Sequence, residues 1–134
     1  MKRELTITRE GIDESALAHG RAQLSKSGAV IVFLGVVRDE EDSNVISAIE
    51  YETFEAMARH QFEKIFDQIE QRWPIQSIRL RHRIGRVEAG AASLWVEVIA
   101  PHRGEAFAAC QFAIDEMKRV VPIWKKPISE KRNE

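Results

Sequence analysis

The chain has 134 residues, a length that suits one α+β-sized domain around one core, so residues 1–134 are read as a single domain. Lys and Arg number 20 against 21 Asp and Glu, and the net charge of -1 argues against the broad basic surface of a nucleic-acid binder while leaving room for a small basic pocket. The one cysteine, Cys110, excludes an intrachain disulfide and a multi-cysteine metal site.

Residues 3–8 alternate, with Leu5 and Ile7 on one side, and predict a short strand. Asp13 is placed to cap a helix reaching about Lys26, with Ala16, Leu17 and Leu24 as its apolar side. The valine-rich run at 29–37 predicts a buried strand. With Gly28 it is the longest apolar run, well short of the roughly 20 residues that span a bilayer. The opening MKRELTITREGIDE also lacks the apolar stretch of a signal peptide, so a cytoplasmic location is expected.

Residues 38–44, RDEEDSN, read as a polar loop, and the alternation of Val45, Ser47, Ile49 and Tyr51 as a strand. From Glu55 to Trp73 the apolar residues Ala58, Phe62, Ile65, Phe66, Ile69 and Trp73 follow helical spacing, which Pro74 ends. A strand at 75–84 puts Ile78, Leu80 and His82 on one face. A turn from Gly85 to Gly90 leads to a strand at 93–100. A helix from about Arg103 to Val121 carries an expected inward stripe of Phe107, Cys110, Ile114, Met117 and Val121. A short extended piece follows Pro122. Strands in pairs between helices predict an α+β fold, with a mixed or antiparallel sheet and about three helices mainly on one face.

Four places set basic groups at the end of an apolar element. Arg38 ends the run FLGVV. His82 lies between Arg81 and Arg83, where a hydrogen-bonded core histidine is the ordinary reading. His102 and Arg103 open the last helix, where free backbone N–H groups and the guanidinium fork favour an anion. Lys118 lies almost in line with Phe107 at about 100° per residue, so partial burial is expected. Beyond Pro122 come Lys125 and Lys126, which an extended chain points to opposite sides. Each also reads as ordinary surface charge. Cys110, on the apolar stripe, reads as core. The acidic run Asp39, Glu40, Glu41 and Asp42 lacks a ligand-spaced pattern, so no metal or cofactor is expected there or elsewhere.

Together FLGVVR, EYETFEAMA, HRIGRVEAG, APHRGEAF and IDEMKRVVPIWKK stand in the order and spacing of one family. From about Gly28 to Lys126 the chain resembles the large, catalytic subunit of molybdopterin synthase. The resemblance implies a hammerhead-like α+β fold and a sulfurtransferase. That enzyme converts cyclic pyranopterin monophosphate to the molybdopterin dithiolene, using a thiocarboxylate on the C-terminal glycine of a small ubiquitin-like subunit. It also implies a homodimer of large subunits within a heterotetramer. By position it assigns substrate binding to Val36, Val37, Arg38, His102, Arg103, Lys118, Lys125, Lys126 and Pro127, with Lys118 and Lys125 as the active-site lysines. Pro127 departs from the family, which usually has an acidic residue there. The family also tends to continue through a glycine turn to an aromatic strand, where this sequence reads SEKRNE. A non-catalytic subunit of the same fold, docking a ubiquitin-like partner, is the alternative reading.

Overall fold

The computed structural model describes residues 1–22 and 24–129. The described residues form two main sheets and one two-stranded hairpin. The larger runs β1 (Lys2–Thr8), β6 (Ser77–Arg83), β8 (Ala92–Ala100), β2 (Ala29–Val36) in spatial order, and β1 pairs with β6 parallel while the other pairs are antiparallel. The smaller is β7 (Gly85–Glu88), β5 (Ala48–Thr53), β9 (Ile123–Ile128), all antiparallel. A mixed sheet with three helices matches the expected α+β class.

Helices α2 (Glu55–Arg72) and α3 (Arg103–Val120) cover one face of the larger sheet. The helical spacing read from the sequence is the cause. Ala58, Phe62, Ile65, Phe66 and Ile69 are buried on α2, and they meet Ile78, Leu80, Val96 and Val98 from the strands. On α3 the buried stripe is Ala106, Ala109, Cys110, Ala113, Ile114 and Met117. Phe107, expected inside, is 58% exposed. Small alanines, rather than the large aromatic, face the sheet and let α3 lie close to it.

Four expectations change in the structure. Asp13 does cap α1, accepting a 3.0 Å bond from the Ala16 N–H, but α1 is only Glu14–His19 and ends at Gly20. Leu24 is exposed. The run at 29–37 is a strand, but β2 lies at the sheet edge, leaving Val32, Phe33 and Val36 exposed. The polar loop holds a small hairpin, β3 (Glu40–Glu41) with β4 (Asn44–Val45). Asp42 and Ser43 both have positive φ, 50° and 67°, as a tight two-residue hairpin turn requires. Finally, 85–88 forms β7 rather than part of a turn. Gly85, at φ 78°, lets the chain leave one sheet and enter the other.

On the sheet face away from α2 and α3, a carboxylate is fully buried. Glu97 receives Arg79 through two bonds of 2.9 and 2.8 Å and Arg21 through one of 2.8 Å. Arg79 also donates to the Leu17 carbonyl at 2.8 Å and lies over the Trp95 ring, so this cluster fastens α1 to the sheet. Burial alone would raise the Glu97 carboxyl, but the hydrogen bonds from Arg79 and Arg21 outweigh it and hold it below its ordinary value of 4.5. A folded-state value below the unfolded one stabilises the fold above about pH 4.5, and that stability is lost as pH falls through the depressed range. Glu97→Gln should therefore lose about 3–5 kcal/mol in urea unfolding at pH 7. Its stability should also vary less with pH below 4.5 than the wild type's does.

Candidate active site

A cavity of about 640 Å³ opens where the two sheets meet, within the usual range for a small-molecule site. The C-terminal end of β2 supplies Val36, and the chain after it supplies Val37 and Arg38. Lys118 comes from the last turn of α3, and Lys125 from β9. Their convergence follows from one reversal of the chain. The Val121 N–H closes α3 on the Met117 carbonyl at 3.0 Å, and Pro122 prevents the helix from continuing. The Thr53 hydroxyl donates to the Pro122 carbonyl at 2.9 Å, pinning the reversal to β5. Residues 123–128 then pair along β5, bringing Lys125 back beside Tyr51.

The strand alternation separates the two neighbouring lysines, as expected. Lys125 lines the cavity and Lys126 does not. Trp124 faces away as well, edge-on to Phe54 at 5.1 Å. Pro127 lies outside the cavity, opposite Ile49 in an edge strand, a position where proline is tolerated. Lys118 and Phe107 do share a helix edge, but it is the exposed one. Lys118 is therefore exposed at the cavity wall instead of partly buried.

His102 and Arg103 are not at this cavity. They open α3, and Lys118 lies 15 residues further on, about 22 Å at 1.5 Å per residue. His102 is exposed, 3.7 Å from Glu105. Both residues sit instead beside the start of β2, where the Gly28 N–H donates to the Ala100 carbonyl at 3.1 Å. A Cβ at Gly28 would come within 2.0 Å of the Pro101 oxygen, so only glycine allows this approach.

Sequence reasoning missed several lining groups. Glu41 in β3 forms a 3.1 Å ion pair with Lys125, a contact between distant segments that no local pattern announces. Tyr51 and Ser93 were missed too; with His82, singled out in the sequence and hydrogen-bonded in the core as its ordinary reading expects, they form the inner wall, the Tyr51 hydroxyl lying 3.2 Å from Ser93 Oγ. His82 is buried, and its Nδ1 lies 2.6 Å from the Arg83 carbonyl oxygen. Burial holds this imidazole below its ordinary value, partly offset by that bond. Ile114, Met117, Val121 and Ile123 complete an apolar lining. Cys110 is core, as expected, and burial pushes its thiol up to about 11. Among the described residues no group of three or more His, Cys, Asp and Glu side chains is placed to hold a metal ion. No described helix is long and apolar enough to cross a membrane.

A partly apolar chamber with three cations at its wall defines a class: an α+β domain with a basic-walled pocket of small-molecule size. Its relatives make the class specific. The family model for the MoaE protein matches residues 7–120. A molybdopterin synthase catalytic subunit from Nostoc is 43% identical over 109 residues, covering 81% of this chain and 66% of that one. The one from Vibrio cholerae is 33% identical over 129 residues, covering 96% and 86%. Among solved structures, molybdopterin synthase from Staphylococcus aureus superposes with a TM-score of 0.83 at 33% identity, over 96% of this chain and 92% of that one. One chain of the protein–protein complex of subunits 1 and 2 of the molybdopterin-converting factor from Helicobacter pylori gives a TM-score of 0.76 at 26% identity, over 95% of this chain and 90% of that one. This chain belongs to the MoaE family. Its match spans about two thirds of the length of the Nostoc relative.

With Lys125 exposed and Glu41 half-buried, the pair is worth about 1 kcal/mol, so Glu41→Gln should cost at most about that in stability yet tighten binding of a carboxylate-ended peptide up to about fivefold by freeing Lys125. Isothermal titration calorimetry checks this. Native Cys110 should alkylate at least about a hundredfold more slowly with iodoacetamide at pH 8 than the urea-unfolded chain.

Proposed function

We propose that this chain is the catalytic subunit of a molybdopterin synthase, with residues 1–134 acting as one large-subunit domain in the cytoplasm. It takes sulfur from the C-terminal thiocarboxylate of a small ubiquitin-like subunit. It delivers that sulfur to cyclic pyranopterin monophosphate, forming the molybdopterin dithiolene for molybdenum cofactor biosynthesis. The observation that carries the reading is the convergence of Arg38, Lys118 and Lys125 on one cavity. Both proposed ligands are anionic, and localised cations in an apolar chamber attract them more strongly than the same charges in water. Lys125 guides the tail, exchanging Glu41 for the incoming thiocarboxylate. Lys118 stabilises the negative charge that develops as sulfur is delivered, and Arg38 holds phosphate through its planar fork. The catalytic reading is favoured over the docking-only one because all three cations stand at the cavity and the curated relatives are catalytic subunits.

A homodimer gives His102 and Arg103 a place in this scheme. β2 is an open edge bearing exposed Val32, Phe33 and Val36, an arrangement that invites pairing with a second copy. Antiparallel pairing about a two-fold axis sets the start of one β2 beside the end of the other. The partner copy's helix start would then approach this copy's Arg38, and two small subunits would complete a heterotetramer. Lys126 and Pro127 take the adjoining binding role.

Mixing the protein with a thiocarboxylated small subunit and the pyranopterin precursor should yield dithiolene product. Lys118→Ala and Lys125→Ala should each lower the transfer rate by about 10²-fold or more. Full activity in both variants overturns the assignment. If the site is shared across a two-fold axis, Lys118→Ala and Arg103→Ala proteins, each inactive alone, should recover about a quarter of wild-type activity when refolded together. No recovery sinks the shared site.

A further inference from the structure

His82 stands apart from the cations that hold the anion. It lies on β6 and is one of the residues that line the cavity. A carbonyl oxygen only accepts, so the 2.6 Å contact with the Arg83 carbonyl places the proton on Nδ1. In the neutral ring Nε2 then carries a lone pair, and no described residue donates to it. Tyr51 packs edge-on against the ring at 5.3 Å, holding its plane, while the Tyr51 hydroxyl is used by Ser93.

The other charged groups around the cavity do not offer this. Arg38 from the β2 end, Lys118 from α3 and Lys125 from β9 are donors only. The Glu41 carboxylate from β3 is held by Lys125. Arg81 and Arg83 flank His82 on β6 and point to the other sheet face, by the alternation of the strand. Burial favours the neutral ring, partly offset by the bond to the Arg83 carbonyl.

The proposed sulfur transfer needs a proton acceptor at one definite step. When a thiocarboxylate sulfur bonds to a substrate carbon and displaces an oxygen substituent, whose C–O bond breaks and which takes the electron pair, the product is a thioester joining the small subunit to the substrate: acyl carbon, sulfur, substrate carbon. Freeing the sulfur requires water to attack the acyl carbon. The acyl C–S bond breaks, the tail becomes a carboxylate, and sulfur stays on the substrate as a thiolate. Two protons leave the water, one on attack and one as the carboxylic acid ionises to solvent. Resting on the function proposed above, we propose that His82 Nε2 accepts the first of these protons and so activates the water that cleaves the thioester.

The test is single turnover with thiocarboxylated small subunit and pyranopterin precursor, quenched and read by intact-protein mass. Wild type should show a transient covalent adduct between small subunit and pterin. His82→Gln should accumulate it, with dithiolene release slowed about 10²-fold or more and the rate of adduct formation unchanged. Decay of the wild-type adduct should fall on the acid side with a midpoint below 6.5. Adduct decay in His82→Gln at the wild-type rate overturns the inference. So does wild-type decay that shows no acid-side fall at any pH where the protein stays folded, whatever the variant's folding. Wild-type protein that forms neither adduct nor dithiolene overturns the sulfur-transfer reading itself, and this inference with it.

Discussion

The site depends on one chain reversal, at Val121 and Pro122. The helix that carries Lys118 must stop there, because proline cannot donate the next helical bond. The strand that carries Lys125 must start there, because the Thr53 hydroxyl and the ladder along β5 capture residues 122–128. Between them Val121 and Ile123 are held as apolar lining. Two cations that are seven residues apart in sequence thus face one volume from two different elements. The same reversal adds β9 to the smaller sheet, so closing the cavity and completing the fold are one event.

Charge is handled locally. A chain with almost no net charge cannot steer an anion by its overall field. The carboxylates are instead used up in place. Glu97 is committed to Arg79 and Arg21 under α1, and Glu63, Asp67 and Glu70 of α2 to Arg3. Arg38 and Lys118 are left to act at the cavity, while Lys125 holds Glu41 in reserve. That exchangeable pair suits the proposed role of the site, in which one anionic tail is admitted and another released.

Much of this was legible in the sequence, and the failures have physical reasons. The period of α2, the stop at Pro74 and the opposed directions of Lys125 and Lys126 come from backbone geometry alone, and the structure agrees. The phase relating Phe107 to Lys118 was also right. Its inward assignment was wrong because alanines pack α3 against the sheet more closely than a phenylalanine can. The valine run at 29–37 reads as buried because hydrophobicity does not distinguish a central strand from an edge strand that awaits a partner. β7 was hidden by its two bracketing glycines, one of which marks a change of sheet. The Glu41–Lys125 pair and the inner wall of Tyr51, His82 and Ser93 come from segments far apart in sequence, which only tertiary structure brings together.

Recognition of an anionic chain terminus by the cavity's lysines is the claim on which the functional reading rests. Calorimetric titration of the protein with the small subunit tests it directly, comparing a free C-terminal carboxylate with its amide. The free terminus should bind at least about tenfold tighter, a difference of about 1.4 kcal/mol, and a Lys118→Ala, Lys125→Ala double variant should abolish that preference. Equal affinity for acid and amide in the wild-type protein would contradict the account.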